Sequence, residues 1–583
     1  MPRVLRAIAQ VCVGVSAALC TVYAVGQATQ TIPPPTTSSS TASQETATPP
    51  SRPAPVALTA EQRALQDANR IQDPVQKLDA LRKLQSELKS SVAVFVVRQV
   101  DEAVLWHLVA TLRDRQDEIS AAFERVVAGL AANAPESRLT VLPGIVGRLL
   151  DAKVVLPEAE KALTDVLAAA ERGPADSAAP PTTGATTPAR TPTTPEIAAR
   201  LAAATTAARG RTLEILGRLH IEQGHEEKAA RELKDALELN SSLQRAPIML
   251  AELEVKHGNN AVALDYYLLA AVSGRMKSAE DVAMRALYRQ HRGSDAGLDA
   301  ELDRVYDKHF PSPVTPEPYT PTGGVTNRVV LLELFTGSAC GPCISADLSW
   351  DAVLARYPEA LIAPLAYHAH IPGPDPMVVP GGDARRLYYQ VRGVPTLHVN
   401  GALGKLGGGP RENTQRNYAD YTGTIDKALQ KAPTAVVQVH ASRSGSKINV
   451  TARASSLPGD DNLRLHIVLA ERHLTFTGEN GIRHHAMVVR GVAGEKGSGI
   501  AIRGAETTVD FMFDLADMKA DVVTTLADEI ARRHKTTSSA ATPPDYRAEG
   551  RPMGEINPET LVVVAFVQDG SKNVLQAARA NVK

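Results

Sequence analysis

The sequence predicts a multidomain chain with an α-helical, repeat-bearing N-terminal region, an α/β domain and a C-terminal mostly-β (sandwich-like) domain. Three observations carry this. The 583 residues exceed a single domain, since domains run to about 100–200 residues each. Apolar spacing is helical between residues 58 and 310, mixed to 431, and strand-like from 434 to the end. Two stretches rich in Pro and Thr, 29–57 and 173–195, separate the parts and are too poor in apolar surface to fold. Aromatic residues make up only 4%, which suits Ala/Leu helical packing better than a large all-β chain. Lys plus Arg number 63 against 64 Asp plus Glu, so no global field draws nucleic acid or anionic lipid.

The first element is a leader. Arg3 and Arg6 precede an uncharged stretch, Ala7–Gln30, with an apolar centre from Val11 to Val25. Gly26-Gln27-Ala28 then places small residues at the −3 and −1 positions of a cleavage site. Residues 1–28 are therefore expected to be a signal peptide, and the protein exported, periplasmic or secreted. The chain meets a membrane only if this segment stays uncleaved as an anchor. Cleavage removes Cys12 and Cys20 and leaves one pair, Cys340 and Cys343, in an oxidising compartment.

Helices are expected over 58–172. Asp73-Pro74-Val75-Gln76 supplies Asp at N-cap and Pro at N1, and Val75, Leu78, Leu81, Leu84 and Leu88 follow at near-helical spacing. Within 196–310 a 34-residue register pairs Gly224 with Gly258, Ala229 with Ala263, Leu233 with Tyr267 and Ala236 with Ala270. This resembles the tetratricopeptide repeat. The resemblance implies either a groove for a peptide or partner protein or a helical spacer.

The α/β segment is placed at 325–431 and the β-rich segment at 434–583. Ala435–Val439, Lys447–Val450, Leu463–Leu469 and Leu561–Phe566 read as strands, with a helix-like insertion at 522–534. His484 and His485 fall on a strand, so one is expected in the core and the other on the surface.

The chemistry centres on Cys340-Gly341-Pro342-Cys343. An apolar strand through Glu333-Leu334-Phe335-Thr336 leads into it, a helical stretch from Ile344 to Arg356 follows, and then a strand, Leu361–Tyr367. Further on, Gly393-Val394-Pro395-Thr396 opens another strand that turns at Asn400-Gly401. In that order the segments resemble the thioredoxin superfamily, although Ala339 stands where a Trp usually precedes the first Cys. A Cys at a helix N-terminus is favoured as thiolate, and a second Cys one turn on can resolve a mixed disulfide. The resemblance implies Cys340 as exposed nucleophile and Cys343 as resolving thiol. It further implies Pro395 in cis beside the sulfurs, Val394 pairing with an extended substrate backbone, Gly341 and Pro342 on the substrate surface, and Glu333 as proton shuttle. A salt-bridged strand carboxylate is the other reading of Glu333.

The expected function is an exported thiol–disulfide oxidoreductase, of reductase or isomerase type, acting on protein thiols and disulfides without cofactor or bound metal. Two alternatives stay open. One is a partner-binding scaffold on a non-catalytic thioredoxin-like platform. The other is a copper-handling thiol protein that adds His368, His370 and Met377 to the two cysteines.

Overall fold

Local start signals place the first helices. Asp73 caps its helix by accepting the Val75 and Gln76 amides at 3.0 and 2.8 Å, with Pro74 at the first helical position. Thr59 and Gln62 form a reciprocal capping box one helix earlier. The computed structural model describes residues 58–88, 92–133, 135–172, 195–274, 276–321, 326–460, 462–494, 497–536 and 554–583. The expected signal peptide with Cys12 and Cys20, the 29–57 linker and nearly all of the 173–195 linker lie outside the described residues.

The chain divides into two units, one running to Thr182 and including 536–540, the other comprising Thr183–Lys535 and Ala541–Lys583. In the first, α1 (Ala60–Arg70), α2 (Pro74–Glu87), α3 (Val94–Thr111), α4 (Gln116–Asn133), α5 (Arg138–Asp151) and α6 (Pro157–Arg172) follow one another. Leu78, Leu81 and Leu84 are buried as the spacing predicts, whereas Val75 in the first turn of α2 is exposed.

The second unit opens with tetratricopeptide-like helices: α7 (Pro195–Glu222), α8 (Glu226–Leu239), α9 (Arg245–Lys256), α10 (Asn260–Ser273), α11 (Ser278–Arg292) and α12 (Leu298–His309). The 34-residue register is visible in the backbone. Gly224 and Gly258 both turn the chain at φ near +80°, a region open to glycine at little cost. Ala229 and Ala263 are fully buried where paired helices touch.

A large mixed sheet follows, with β1 (Val330–Thr336), α13 (Ile344–Arg356), β2 (Ile362–His368), α14 (Pro380–Tyr388), β3 (Thr396–Val399), β4 (Ala402–Leu406) and α15 (Thr414–Leu429) leading into it. β1 lies parallel to β2 from Val330–Ile362 to Thr336–His368 and antiparallel to β3. Beyond come β5 (Val436–Ser444), β6 (Lys447–Ser455), β7 (Arg464–Thr475), β8 (His484–Val492), β9 (Ile500–Ala501), β10 (Glu506–Asp514), α16 (Leu515–Thr536), β11 (Leu561–Gln568) and β12 (Val574–Asn581). The order across the sheet is β12-β11-β7-β8-β2-β1-β3-β4, with β9 on β7.

The 325–431 and 434–583 segments, expected as separate domains, thus share one hydrogen-bonded sheet. β2 is buried along its whole length and would present an apolar open edge, which β8 closes. The sandwich-like part is a three-stranded sheet, β10-β6-β5, whose inward Val437, Val439, Ile448 and Val450 pack on Leu465, Ile467, Val563 and Ala565 of β7 and β11.

A buried ionic network joins the strands to α14. Arg385 donates to both Glu333 oxygens at 2.7 and 3.1 Å, and Tyr389 Oη donates to Glu333 Oε2 at 2.7 Å. Gln568 of β11 donates to Tyr389 Oη at 2.9 Å. Breaking such a pair strands a charge in the core, so Arg385→Leu is expected to cost about 3–5 kcal/mol in urea denaturation. Tyr389→Phe, which removes the hydroxyl's three hydrogen bonds, to Glu333, Arg385 and Gln568, but no charge, is expected to cost less than Arg385→Leu.

Candidate functional site

β1 delivers the cysteine motif. The strand ends at Thr336, Gly337–Ala339 turn the chain, and Gly341–Cys343 form a single 3-10 turn that runs into α13. Cys340 and Cys343 form a disulfide with Cα atoms 5.2 Å apart. Cys343 stands at the N-cap of α13, where free amides and the helix dipole favour negative charge.

Val394–Pro395 is a cis peptide bond, and the Val394 carbonyl oxygen lies 3.7 Å from Cys340 Sγ. Gly409 donates its amide to the Pro342 carbonyl at 2.7 Å. A Cβ on neighbouring Gly408 would fall 2.1 Å from that same oxygen and 2.9 Å from Pro395 Cγ. Gly408 and Gly409, in the run Gly407–Gly409, are therefore a close-approach segment beside the motif. Their run in the sequence was the signal for it.

Cys340, Cys343, Val394 and Pro395 come together, with Gly341 and Pro342 exposed between the two sulfurs. Cys340 differs from its expected state. It is only 3% exposed, and the loop between β7 and β8 lies against the backbone of residues 337–340.

Glu333 does not reach the dithiol. Its carboxylate faces α14 and is held by Arg385 and Tyr389, the salt-bridge reading of this residue. Side chains alternate along a strand, so Thr336, three residues on, takes the opposite face, under α13. There its hydroxyl donates to Asp347 Oδ1 at 2.7 Å. Asp347 lies four residues after Cys343, one turn along the same helix face. Its Oδ2 is buried without a hydrogen-bond partner among the described residues. Burial, with a smaller push from Asp375, raises the Asp347 carboxyl to about 7, against the opposing pull of Thr336 and His368. A carboxyl in that range can take up or release a proton near neutral pH.

Next to it sits a second acid in the opposite state. Asp375 Oδ2 accepts the Ser338 amide at 2.7 Å and pairs with His368 Nδ1 at 2.9 Å, while Oδ1 accepts the Met377 amide at 2.9 Å. Burial works against ionisation there, but His368 and these bonds outweigh it and hold Asp375 well below the usual carboxylate range. The Asp375 bond to Ser338 steadies the turn that leads to Cys340. His370 Nδ1 accepts the Asp375 amide at 3.0 Å. The copper reading needed His368, His370 and Met377 to converge on the thiols. Instead the two imidazoles are engaged with Asp375, and among the described residues no three His, Cys, Asp or Glu groups converge on a metal position.

His485 is buried and donates from Nε2 to the Phe476 carbonyl at 2.9 Å, and burial drives its ring down to about 3. With His485 the inward member of the pair, His484 is half-buried and not fully exposed, against Tyr306 of α12 with ring centroids 5.3 Å apart.

No family model matches the chain, and no curated protein matches it. Among solved structures it is similar to HBP35 of Porphyromonas gingivalis, at 15% identity over 45% of this chain and 77% of that one, TM-score 0.31. It is similar to pilF of Pseudomonas aeruginosa at 16% identity, covering 43% and 92%, TM-score 0.25. The apo form of RapI matches at 14% identity, covering 42% and 62%, TM-score 0.27. Likenesses this slight carry no argument.

The raised carboxyl has a thermodynamic signature. A free aspartate ionises near 3.8 and Asp347 in the folded chain near 7, so its contribution to stability is present below about 4 and lost as pH rises through about 7. Asp347→Asn removes this slope. Between pH 5 and pH 8 the variant is expected to gain about 2–3 kcal/mol relative to the unaltered chain, at about 1.4 kcal/mol per pH unit, in urea titrations at each pH. Asp351, raised to about 8, titrates in both proteins.

Proposed function

We propose that the protein is an exported thiol–disulfide oxidoreductase on a thioredoxin-like α/β platform. The observation that carries this is the Cys340–Cys343 disulfide at the start of α13 with the Val394 carbonyl 3.7 Å from the first sulfur. The C-x-x-C spacing puts the Cys340 sulfur beside the Val394 carbonyl and Cys343 at the helix N-terminus, an arrangement suited to disulfide exchange.

In the reducing direction, the Cys340 thiolate attacks a substrate disulfide. A Cys340–substrate mixed disulfide forms, and one substrate sulfur leaves and is protonated. Cys343 then loses its proton toward Asp347 and attacks Cys340 Sγ. The Cys340–Cys343 bond forms, the second substrate thiol departs, and two electrons have passed from protein to substrate. A dithiol reductant restores the protein by the reverse sequence. Val394 offers backbone groups to an extended substrate segment, and the tetratricopeptide-like helices bind a peptide or protein partner.

One observation favours a second reading. Cys340 is 3% exposed, as a structural staple would be, and the helical repeats would then carry the function as a scaffold.

An insulin-reduction assay with dithiothreitol separates the two. The unaltered chain is expected to accelerate turbidity, Cys340→Ser to abolish the acceleration, and Cys343→Ser to accumulate a mixed disulfide visible by mass spectrometry. Equal rates for all three proteins would leave the scaffold reading standing. Asp347→Asn is expected to slow resolution about 10-fold or more, with a pH profile displaced from that of the unaltered chain.

A further inference from the structure

The segment between β7 and β8, Phe476–Arg483, has no part in the exchange chemistry above, yet it lies against the motif. It is an ordered hairpin tip. The Phe476 amide donates to the Arg483 carbonyl at 2.9 Å and the Gly478 amide to the Ile482 carbonyl at 2.9 Å. At its apex Asn480 gives its backbone amide to the Ser338 carbonyl at 3.0 Å. Its side-chain Nδ2 donates to the carbonyls of Cys340 at 3.2 Å and Gly337 at 3.4 Å. Gly478 packs so closely that a Cβ there would fall 2.5 Å from the Ser338 oxygen. One residue, Asn480, thus occupies three carbonyls of the segment that carries the first cysteine.

The outer side of the same tip is fastened to the helical repeats. Gln244, at the start of α9, donates its side-chain amide to the Glu479 carbonyl. Gly481, at φ +76°, sits against the Ser273 carbonyl at the end of α10, where a Cβ would fall at 2.7 Å. Arg483 is fully buried and donates to Asp303 Oδ1 at 2.7 Å and to the Asp299 carbonyl at 3.3 Å, both on α12. Three helices of the repeat layer therefore grip a loop that belongs to the sheet.

We infer that the Phe476–Arg483 hairpin tip is a lid over Cys340, latched by the helical repeats, so that access to the dithiol is set by the contacts of Gln244, Ser273, Asp299 and Asp303 with the tip. Attack on a disulfide requires a clear line to sulfur, and a 3% exposed Cys340 gives a large substrate none. The exchange reaction then proceeds from the fraction of molecules whose tip has lifted. Anything that separates the repeats from the tip raises that fraction. The inference rests on the oxidoreductase reading for its purpose, but not for its test.

The test reads access and not turnover. The full chain is reduced with dithiothreitol, desalted, and exposed to iodoacetamide or to a polyethylene-glycol maleimide. Modification of the peptide holding Cys340 and Cys343 is followed by mass spectrometry. Asn480→Ala loosens the tip from the motif, while Gln244→Ala and Asp303→Asn loosen the latch without touching the motif. Each is expected to speed alkylation of Cys340 about 5-fold, the factor that one lost hydrogen bond puts on an opening equilibrium. The gain is expected to be larger for the bulky reagent than for iodoacetamide. Rates within 2-fold of the unaltered chain for Gln244→Ala and Asp303→Asn, with unchanged thermal midpoints, would overturn the latch. Faster alkylation with no insulin reduction would sink the oxidoreductase and leave the lid. Active turnover with unchanged alkylation would sink the lid alone.

Discussion

A carboxylate in the middle of a strand buried on both faces must have a cation beside it, and much of this structure follows from that requirement at Glu333. Every residue of β1 is buried. A lone charge there would cost far more than the strand's apolar neighbours return. Arg385 meets it with a two-pronged bond, and Tyr389 and Gln568 complete the network. α14 is thereby fixed to β1 and both to β11, a strand more than two hundred residues away. Once β1 is held in register on that face, its other face presents Thr336 to α13, and its end delivers Cys340 to the helix N-terminus.

The two faces of β1 carry acids with opposite tasks. On the α14 side the Glu333 carboxyl group is held by Arg385 and Tyr389 and is structural. On the α13 side Asp347 is raised to about 7 by burial and shares its helix face with Cys343. Asp375 lies near it and stays ionised through His368 and two backbone amides. Environments that push neighbouring carboxyls apart in this way mark places where protons are handled. The same face bears the only cysteines among the described residues, which is the physical reason to place redox chemistry there.

What the sequence disclosed was local or periodic. Asp73 as a cap, the 34-residue register at Gly224 and Gly258, α13 from Ile344 to Arg356, and the turn at Asn400-Gly401 each depend on residues close together in the chain. The contacts it hid were long-range. That β8 closes the edge of β2 could not be read from either strand, since neither strand's own residues specify its neighbour. Glu333 was the acid that the resemblance implied, on the strand feeding the motif, but it stands an odd number of positions from Thr336 and so points away from α13. The Phe476–Arg483 tip has no motif, and its role depends on helices that precede it by some two hundred residues. His484 was hidden for the same reason, because α12 covers it.

The central claim is that Cys340 and Cys343 form an exchanging redox couple and not a fixed staple. An equilibrium titration against glutathione and dithiothreitol buffers, with free thiols counted after acid quenching, tests it most directly. The account predicts a single reversible two-electron transition, with a midpoint between about −270 and −120 mV, where exchanging dithiols of this kind fall. A pair that stays oxidised to below about −300 mV, or that is reduced only when the chain unfolds, would contradict it and identify the disulfide as structural.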